Sequence, residues 1–318
     1  MHHTTWEMEK KMNGSRGLSE KFLQQLESGL MHPVLERVRN DTTLNFQIRD
    51  DYINLYYRGG NLSRISRNPQ GEFSVAFDSN YFKGIAAIKP NLPKALTSPQ
   101  HVAEWLDALP MLKQGMDLWF AKHPRDEKEI QQRIARINNI GKVAKGTDYF
   151  ICDFEYQSKE GRFDLVGVRW PSKGSIRKRN RGLTLSFVEV KYADSALKGK
   201  AGIVAHLADI KKFSCIQSNL TGLADEMKTV FNQKRRLGLI DNQKDIESFD
   251  LSQVELMFIL ANHDPESKIL SQIIGKQKMI GRQKVEVTFA TANFMGYGLY
   301  LEGIFSLADF MKKYPKRI

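Results

Sequence analysis

The spacing of apolar residues changes character several times along the 318-residue chain. Residues 1–18 are polar and mixed in charge, with no period. Behind Ser19, Phe22, Leu23, Leu26 and Leu30 recur at helical spacing and predict a helix over 19–38. From residue 44 to 82 the period falls to two. Segments 44–49, 52–58, 62–66 and 73–78 alternate, separated by Arg49-Asp50-Asp51, Arg58-Gly59-Gly60-Asn61 and a longer break, and predict an antiparallel four-strand meander. Three prolines over 90–99 mark a linker, Ser98-Pro99-Gln100 opens a helix to about residue 109, and a second helix covers 111–120.

The remainder predicts helix, three strands, helix, strand. Glu127, Ile130, Ile134 and Ile137 share one face of a helix over 126–139. Strands follow at 147–157, 162–170 and 183–192, joined by Ser158-Lys159-Glu160-Gly161 and by a long hairpin loop over 171–182. A small-residue loop leads to a helix from 203 to about 220, then a basic helix over 226–237. Residues 254–261 are almost continuously apolar, as in a covered mixed sheet, with a further strand at 285–291, an extension at 298–301 and a closing helix over 304–312. The expected fold is α/β: a mixed sheet flanked by helices over 121–318, preceded over 1–120 by an α+β domain containing the meander.

Three charged residues interrupt the apolar strands. Asp164 sits among Phe163, Leu165 and Val166, and Glu189 and Lys191 straddle Val190. Ionisable groups are rarely buried unless paired or holding a metal. Period-two geometry puts Glu189 and Lys191 on one face and Val190 on the other. If the two strands are neighbours, two carboxylates and an ammonium meet at one sheet end. Magnesium takes such carboxylates together with backbone carbonyl and water oxygens.

An Asp on one strand and Glu-Val-Lys on the next, 25 residues later, resembles the PD-(D/E)XK nuclease superfamily. The likeness spans about residues 125–301, and Phe163 stands where the pattern has proline. It implies a restriction-endonuclease-like core and a Mg2+ or Mn2+ held by Asp164, Glu189 and the Val190 carbonyl. Lys191 would position the attacking water, and a glutamate on the first helix would assist. Glu127 fits that role by periodicity and Glu129 falls off the stripe, while Glu127 serving only to favour the helix N-terminus is an equal alternative. Asp153 and Glu155 are rival carboxylates that fit an exposed strand face as well. A structural ion pair on a sheet edge is the competing reading of the whole cluster.

Charge separates the two halves. Residues 1–120 carry 14 Lys/Arg against 13 Asp/Glu, so nearly all of the net +12 lies beyond them. Such an excess suits a polyanion, or merely solubility. Lys173, Arg177, Lys178, Arg179 and Arg181 crowd the long hairpin loop, with Lys198 and Lys200 before the next helix, as candidate phosphate contacts. His206 follows on that helix as a weaker candidate base. In the meander, Tyr52, Tyr56, Tyr57, Arg58 and Arg64 serve either as a base-stacking surface or as ordinary cross-strand partners. No membrane-length apolar run or secretory signal occurs, and two cysteines make neither a disulfide framework nor a zinc site, so a cytoplasmic location without a membrane partner is expected. The resulting expectation is a metal-dependent nuclease, acting on DNA, in restriction or anti-phage defence, with a protein partner for the N-terminal domain and homo-oligomerisation left open. The alternative is a non-catalytic nucleic-acid-binding or protein-interaction module on the same fold.

Overall fold

The computed structural model describes residues 16–83, 92–159, 161–199, 201–242, 244–262, 268–276, 285–292 and 304–313. It is a mixed α/β architecture with two sheets, one antiparallel and one mixed. Ten α-helices lie among the described residues.

The predicted meander forms. Helices α1 (Glu20–Glu27) and α2 (His32–Asn40) precede β1 (Leu44–Ile48), β2 (Tyr52–Tyr57), β3 (Gly60–Arg67) and β4 (Phe73–Ala76). A short β5 (Ala95–Leu96), within the stretch expected to be linker, completes a sheet ordered β1-β2-β3-β4-β5. Ser19 caps α1 by accepting from the Phe22 N–H at 3.3 Å. The two helices expected over 98–120 are one, α3 (Pro99–Lys122), with Pro110 inside. An internal proline costs a helix ~3 kcal/mol. Val102, Trp105 and Leu109 before it and Leu112 and Met116 after it are buried in one core, and that shared burial carries the helix through.

The second sheet is built from β6 (Tyr149–Gln157), β7 (Arg162–Arg169), β8 (Leu183–Tyr192), β9 (Phe249–Ala261), β10 (Val285–Ala292) and β11 (Ile304–Ser306), ordered β11-β10-β9-β8-β7-β6. β6, β7 and β8 run antiparallel, β8, β9 and β10 parallel. On one face α4 (Asp126–Asn139) packs Ile130 and Ile134 against Tyr149, Leu165, Val188 and Ile259. On the other, α7 (Ile203–Ser214) and α8 (Gln217–Arg236) bring Leu207, Ile210, Phe213 and Phe231 onto Phe150, Val166 and Phe187. The break between α7 and α8 falls earlier than the sequence pattern suggests, at Cys215 and extended Ile216. Short helices α5 (Lys142–Gly146) and α6 (Gly174–Arg177) sit in loops, and α9 (Lys268–Lys276) and α10 (Leu307–Lys313) follow β9 and β11. The helix expected over 304–312 therefore begins as a strand, and the expected extension at 298–301 lies outside the described residues.

The two sheets are joined by shared core rather than by a bare linker. Val230 of α8, Leu237 and Leu239 pack among Phe22, Leu35 and Ile48. Along the same seam, Arg49 pairs with fully buried Asp153 and donates to the Phe154 carbonyl at 2.7 Å. Buried Lys234 donates to Gln47 Oε1 at 2.8 Å and to the Cys152 carbonyl at 2.7 Å. No helix among the described residues is long and apolar enough to cross a membrane.

Candidate active site

β7 and β8 pair regularly from Arg169↔Thr184 to Leu165↔Val188, and then their backbone ladder stops. Side-chain carboxylates take over the vacated positions. The Val190 N–H donates to Asp164 Oδ2 at 3.0 Å, and the Asp164 N–H points to Glu189 Oε1 at 3.4 Å. In an antiparallel pair a residue's N–H and C=O face the same neighbour. The Val190 carbonyl is therefore turned toward the gap that Asp164 fills.

Lys191 follows on the same face of β8 as Glu189, its Nζ 3.7 Å from Glu189 Oε2. Both side chains are almost wholly buried. Burial, then the charge of Asp164, pushes the Glu189 carboxyl well above the usual carboxylate range, against the pull of Lys191. Glu189 Oε2 is buried and accepts no hydrogen bond.

His206, on the second turn of α7, closes this side. Its Nε2 is 3.0 Å from Lys191 Nζ and 3.1 Å from the Ala201 carbonyl. Its Nδ1 is 3.2 Å from Glu189 Oε2 but not aligned for a hydrogen bond. Burial, then the charge of Lys191, lowers its pKa and favours the neutral imidazole.

Glu127 enters from the opposite face, at the start of α4. Burial and then the charge of Asp164 raise its carboxyl, while Lys191, the Tyr192 backbone N–H and Lys128 oppose the rise. Glu129 is turned away, to Arg58 at 3.2 Å and Arg133 at 3.1 Å. Glu129, off the helical stripe, is thus spent on ion pairs, while Glu127 on the stripe is not in them.

The rival carboxylates on β6 part company. Asp153 and Glu155 do not form one exposed face, because register shifts between Ile151 and Asp153 and Glu155 has a φ of 55°. Asp153 turns into the seam, held by Arg49 and by Arg16 at 3.2 Å. Glu155 instead meets Lys128 at 2.9 Å, and Lys128 lies 3.9 Å from Asp164 Oδ1. Sequence reading missed Lys128. Its only signal was adjacency to Glu127 in a helix whose charged residues look alike.

The basic hairpin is not brought to the site. It joins the C-terminal end of β7 to the start of β8, whereas Asp164 and Glu189 lie at the other end of those strands. Five residues separate Asp164 from Arg169, which at ~3.3 Å each gives ~17 Å before the loop begins. Arg177 donates to the Thr147 carbonyl and lies 5.0 Å over the Phe150 ring. Arg181 pairs with Glu247. Lys173, Lys178 and Arg179 are exposed on the same far loop. The hairpin leaves from the active strands, but by their wrong ends. Lys198 is exposed in the loop after β8, at the end where the carboxylates sit, and Lys200 lies outside the described residues.

Among the described residues no three His, Cys, Asp or Glu side chains form a ready cage for a metal. The candidate set is narrower: two carboxylates and one backbone carbonyl. It fits a cation on its own chemistry, because Glu189 Oε2 is buried without a donor next to a second carboxylate. Comparison with protein-family models, with curated proteins and with solved structures gave no match for this chain.

Proposed function

We propose that this chain is a metal-dependent nuclease of the PD-(D/E)XK type, its second sheet a restriction-endonuclease-like core, hydrolysing phosphodiester bonds. The observation that carries the reading is the interlock of Asp164 and Glu189 across the opened end of β7 and β8, with Glu189 Oε2 buried and unsatisfied 3.7 Å from Lys191. Purely structural buried carboxylates are normally paired out.

Asp164, Glu189 and the Val190 carbonyl would hold Mg2+ or Mn2+, which when bound lowers the pKa of water and stabilises charge on phosphate oxygens. Lys191, held by His206 and Glu189, presents an ammonium where a water or phosphate oxygen would approach. Glu127, its carboxyl raised by burial and then by the charge of Asp164, can hold a proton beside the site. DNA in a restriction or anti-phage setting is the substrate and context we favour, from fold analogy.

The test incubates purified protein with plasmid DNA and with RNA in Mg2+ or Mn2+. Metal-dependent cleavage that disappears in Asp164→Asn is expected. No cleavage of either polymer, together with calorimetric metal binding that Asp164→Asn leaves unchanged, overturns the reading and favours the non-catalytic alternative.

A further inference from the structure

The polar face of the first sheet is covered unevenly. On β1, Asn45 and Gln47 are buried against the second sheet's elements, and Lys234 donates to Gln47. On β2, Tyr56 is buried edge-on to Phe154 of β6, with ring centroids 4.7 Å apart. Farther out the cover thins. Register puts Asn54 opposite Arg64, Tyr52 opposite Ser66, and Ser66 opposite Ser74 on that same face. Tyr52, Arg64 and Ser66 are half-buried and Ser74 is exposed. At Tyr56 this face meets β6, the edge strand whose Glu155 shares Lys128 with Asp164.

Two features of this face beyond Tyr56 lack partners. Asn54 is 8% exposed, its Nδ2 lies 3.5 Å from the Tyr56 hydroxyl, and its Oδ1 is buried with no hydrogen bond. Exchanging the amide atoms leaves the other one unmet. The Arg64 guanidinium carbon lies over the Tyr52 ring, 3.9 Å from its centroid, and no carboxylate pairs with it among the described residues. A buried unmet amide beside an unpaired cationic plane calls for a ligand that offers both hydrogen-bonding edges and negative charge.

We propose that Tyr52, Asn54 and Arg64 form a track for an unpaired strand of nucleic acid passing beside the Asp164–Glu189 site, an inference that rests on the nuclease reading. A base stacks on the free face of the guanidinium, extending the Tyr52–Arg64 stack, while the guanidinium edge meets a phosphate. The Asn54 amide takes a base edge. A duplex hides its base faces and cannot use this stack. The Ser66 and Ser74 hydroxyls, 2.9 Å apart, border the track as further phosphate donors. Of the five meander residues singled out from sequence, Tyr56, Tyr57 and Arg58 are spent on packing and on Asp117 and Glu129, which leaves Tyr52 and Arg64 for the ligand.

The experiment measures binding of the full chain to labelled 15-nucleotide single-stranded DNA, single-stranded RNA and duplex DNA, in EDTA so that cleavage is silent. Arg64→Ala and Tyr52→Ala should each weaken single-strand binding about tenfold and duplex binding little. The slope of log affinity against log salt should become shallower by about 0.7 in Arg64→Ala. Arg64→Lys keeps the charge but loses the plane, so it should bind weakly with the wild-type slope; it covers the case in which the alanine variants misfold. A halogenated-uracil oligonucleotide should photo-crosslink within residues 52–74, the strands that border the track. The DNA and RNA arms decide which polymer the track prefers. Unchanged affinity in these variants, no single-strand binding by the wild type, or crosslinks confined to residues 173–181 overturns the proposal. Track-dependent binding without cleavage by the wild type would sink the nuclease reading alone. Cleavage with unaltered Arg64→Ala binding would sink the track alone.

Discussion

Glu189 and Glu255 are both buried glutamates on adjacent strands of one sheet, and burial raises the carboxyl of each. They differ in what surrounds them. Glu255 accepts from the hydroxyls of Tyr149 at 2.9 Å, Ser186 at 2.8 Å and Thr288 at 3.0 Å, with Arg169 at 3.4 Å. Glu189 faces a second carboxylate, a lysine at 3.7 Å and a misaligned imidazole, and one of its oxygens accepts nothing. Glu255 is a closed structural group. Glu189 belongs to a cluster in which a second carboxylate crowds it and one of its oxygens is left unmet. Burial alone therefore does not mark function, and neither does one unmet oxygen, which seam residue Asp153 also carries; crowding by a second carboxylate sets Glu189 apart.

Substitution should separate the two most sharply. Asp164→Asn, Glu189→Gln and Lys191→Ala should each lower metal-dependent cleavage by orders of magnitude, because members of a cooperating set fail together. Asp164→Asn and Glu189→Gln should keep or raise the apo melting temperature, since they relieve carboxylate crowding. Glu255→Leu should do the reverse. It should destabilise by ~3 kcal/mol by stranding three hydroxyls and Arg169, yet leave cleavage per folded molecule near normal. Melting curves beside cleavage assays for the four variants check this. Site variants that melt early and still cut would make Glu189 as structural as Glu255.

The seam between the sheets extends the comparison, since Asp153 and Lys234 are buried charges whose partners come from the other sheet's domain. A fragment starting near residue 122 loses Arg49 and Gln47 and strips the first core from Val230 and Leu237. Leaving such charges uncompensated costs ~3–5 kcal/mol. The fragment should be far less stable than the full chain, measured by urea unfolding. A cooperative fold of undiminished stability would show that the seam is incidental and that the domains are independent.

Much of this was legible because the core strands are nearly continuous apolar runs. Asp164, Glu189 and Lys191 betrayed themselves as charges inside apolar runs, and the helical stripe chose Glu127 over Glu129. Glu255 sat in such a run too, but nothing local told that hydroxyls from three other strands would satisfy it. The basic hairpin misled because charge density is local while distance from the site depends on which end of a strand the loop leaves. Asp153 and Glu155 were inseparable by parity because a bulge and a positive φ intervene.

Metal should distinguish the glutamates thermally as well. A ligand at 100 times its Kd stabilises by ~2.7 kcal/mol. Mn2+ should raise the melting temperature of the wild type and of Glu255→Leu, but not of Glu189→Gln. Equal shifts in all three would place the metal elsewhere.

The smallest expected effect concerns the sign of a pH dependence. Lys234 is fully buried, and burial lowers its pKa to about 8, only partly offset by Asp153. Between that value and ~10.4 the unfolded lysine holds a proton that the native one releases. Stability therefore rises with pH through this window, and below it the native state carries the whole cost of the buried charge. Between pH 7 and 9 the gain is ~1 kcal/mol. Lys234→Met keeps the volume and removes the titration, so it should lack this rise, although its lower starting stability reflects the unmet Gln47 and Cys152 oxygens. Melting temperatures of both proteins from pH 7 to 9 supply the test, read as the difference between them so that other titrating groups cancel. A parallel pair of curves would mean that Lys234, like Glu255, is compensated by its partners, and that burial by itself does not unbalance a charge in this core.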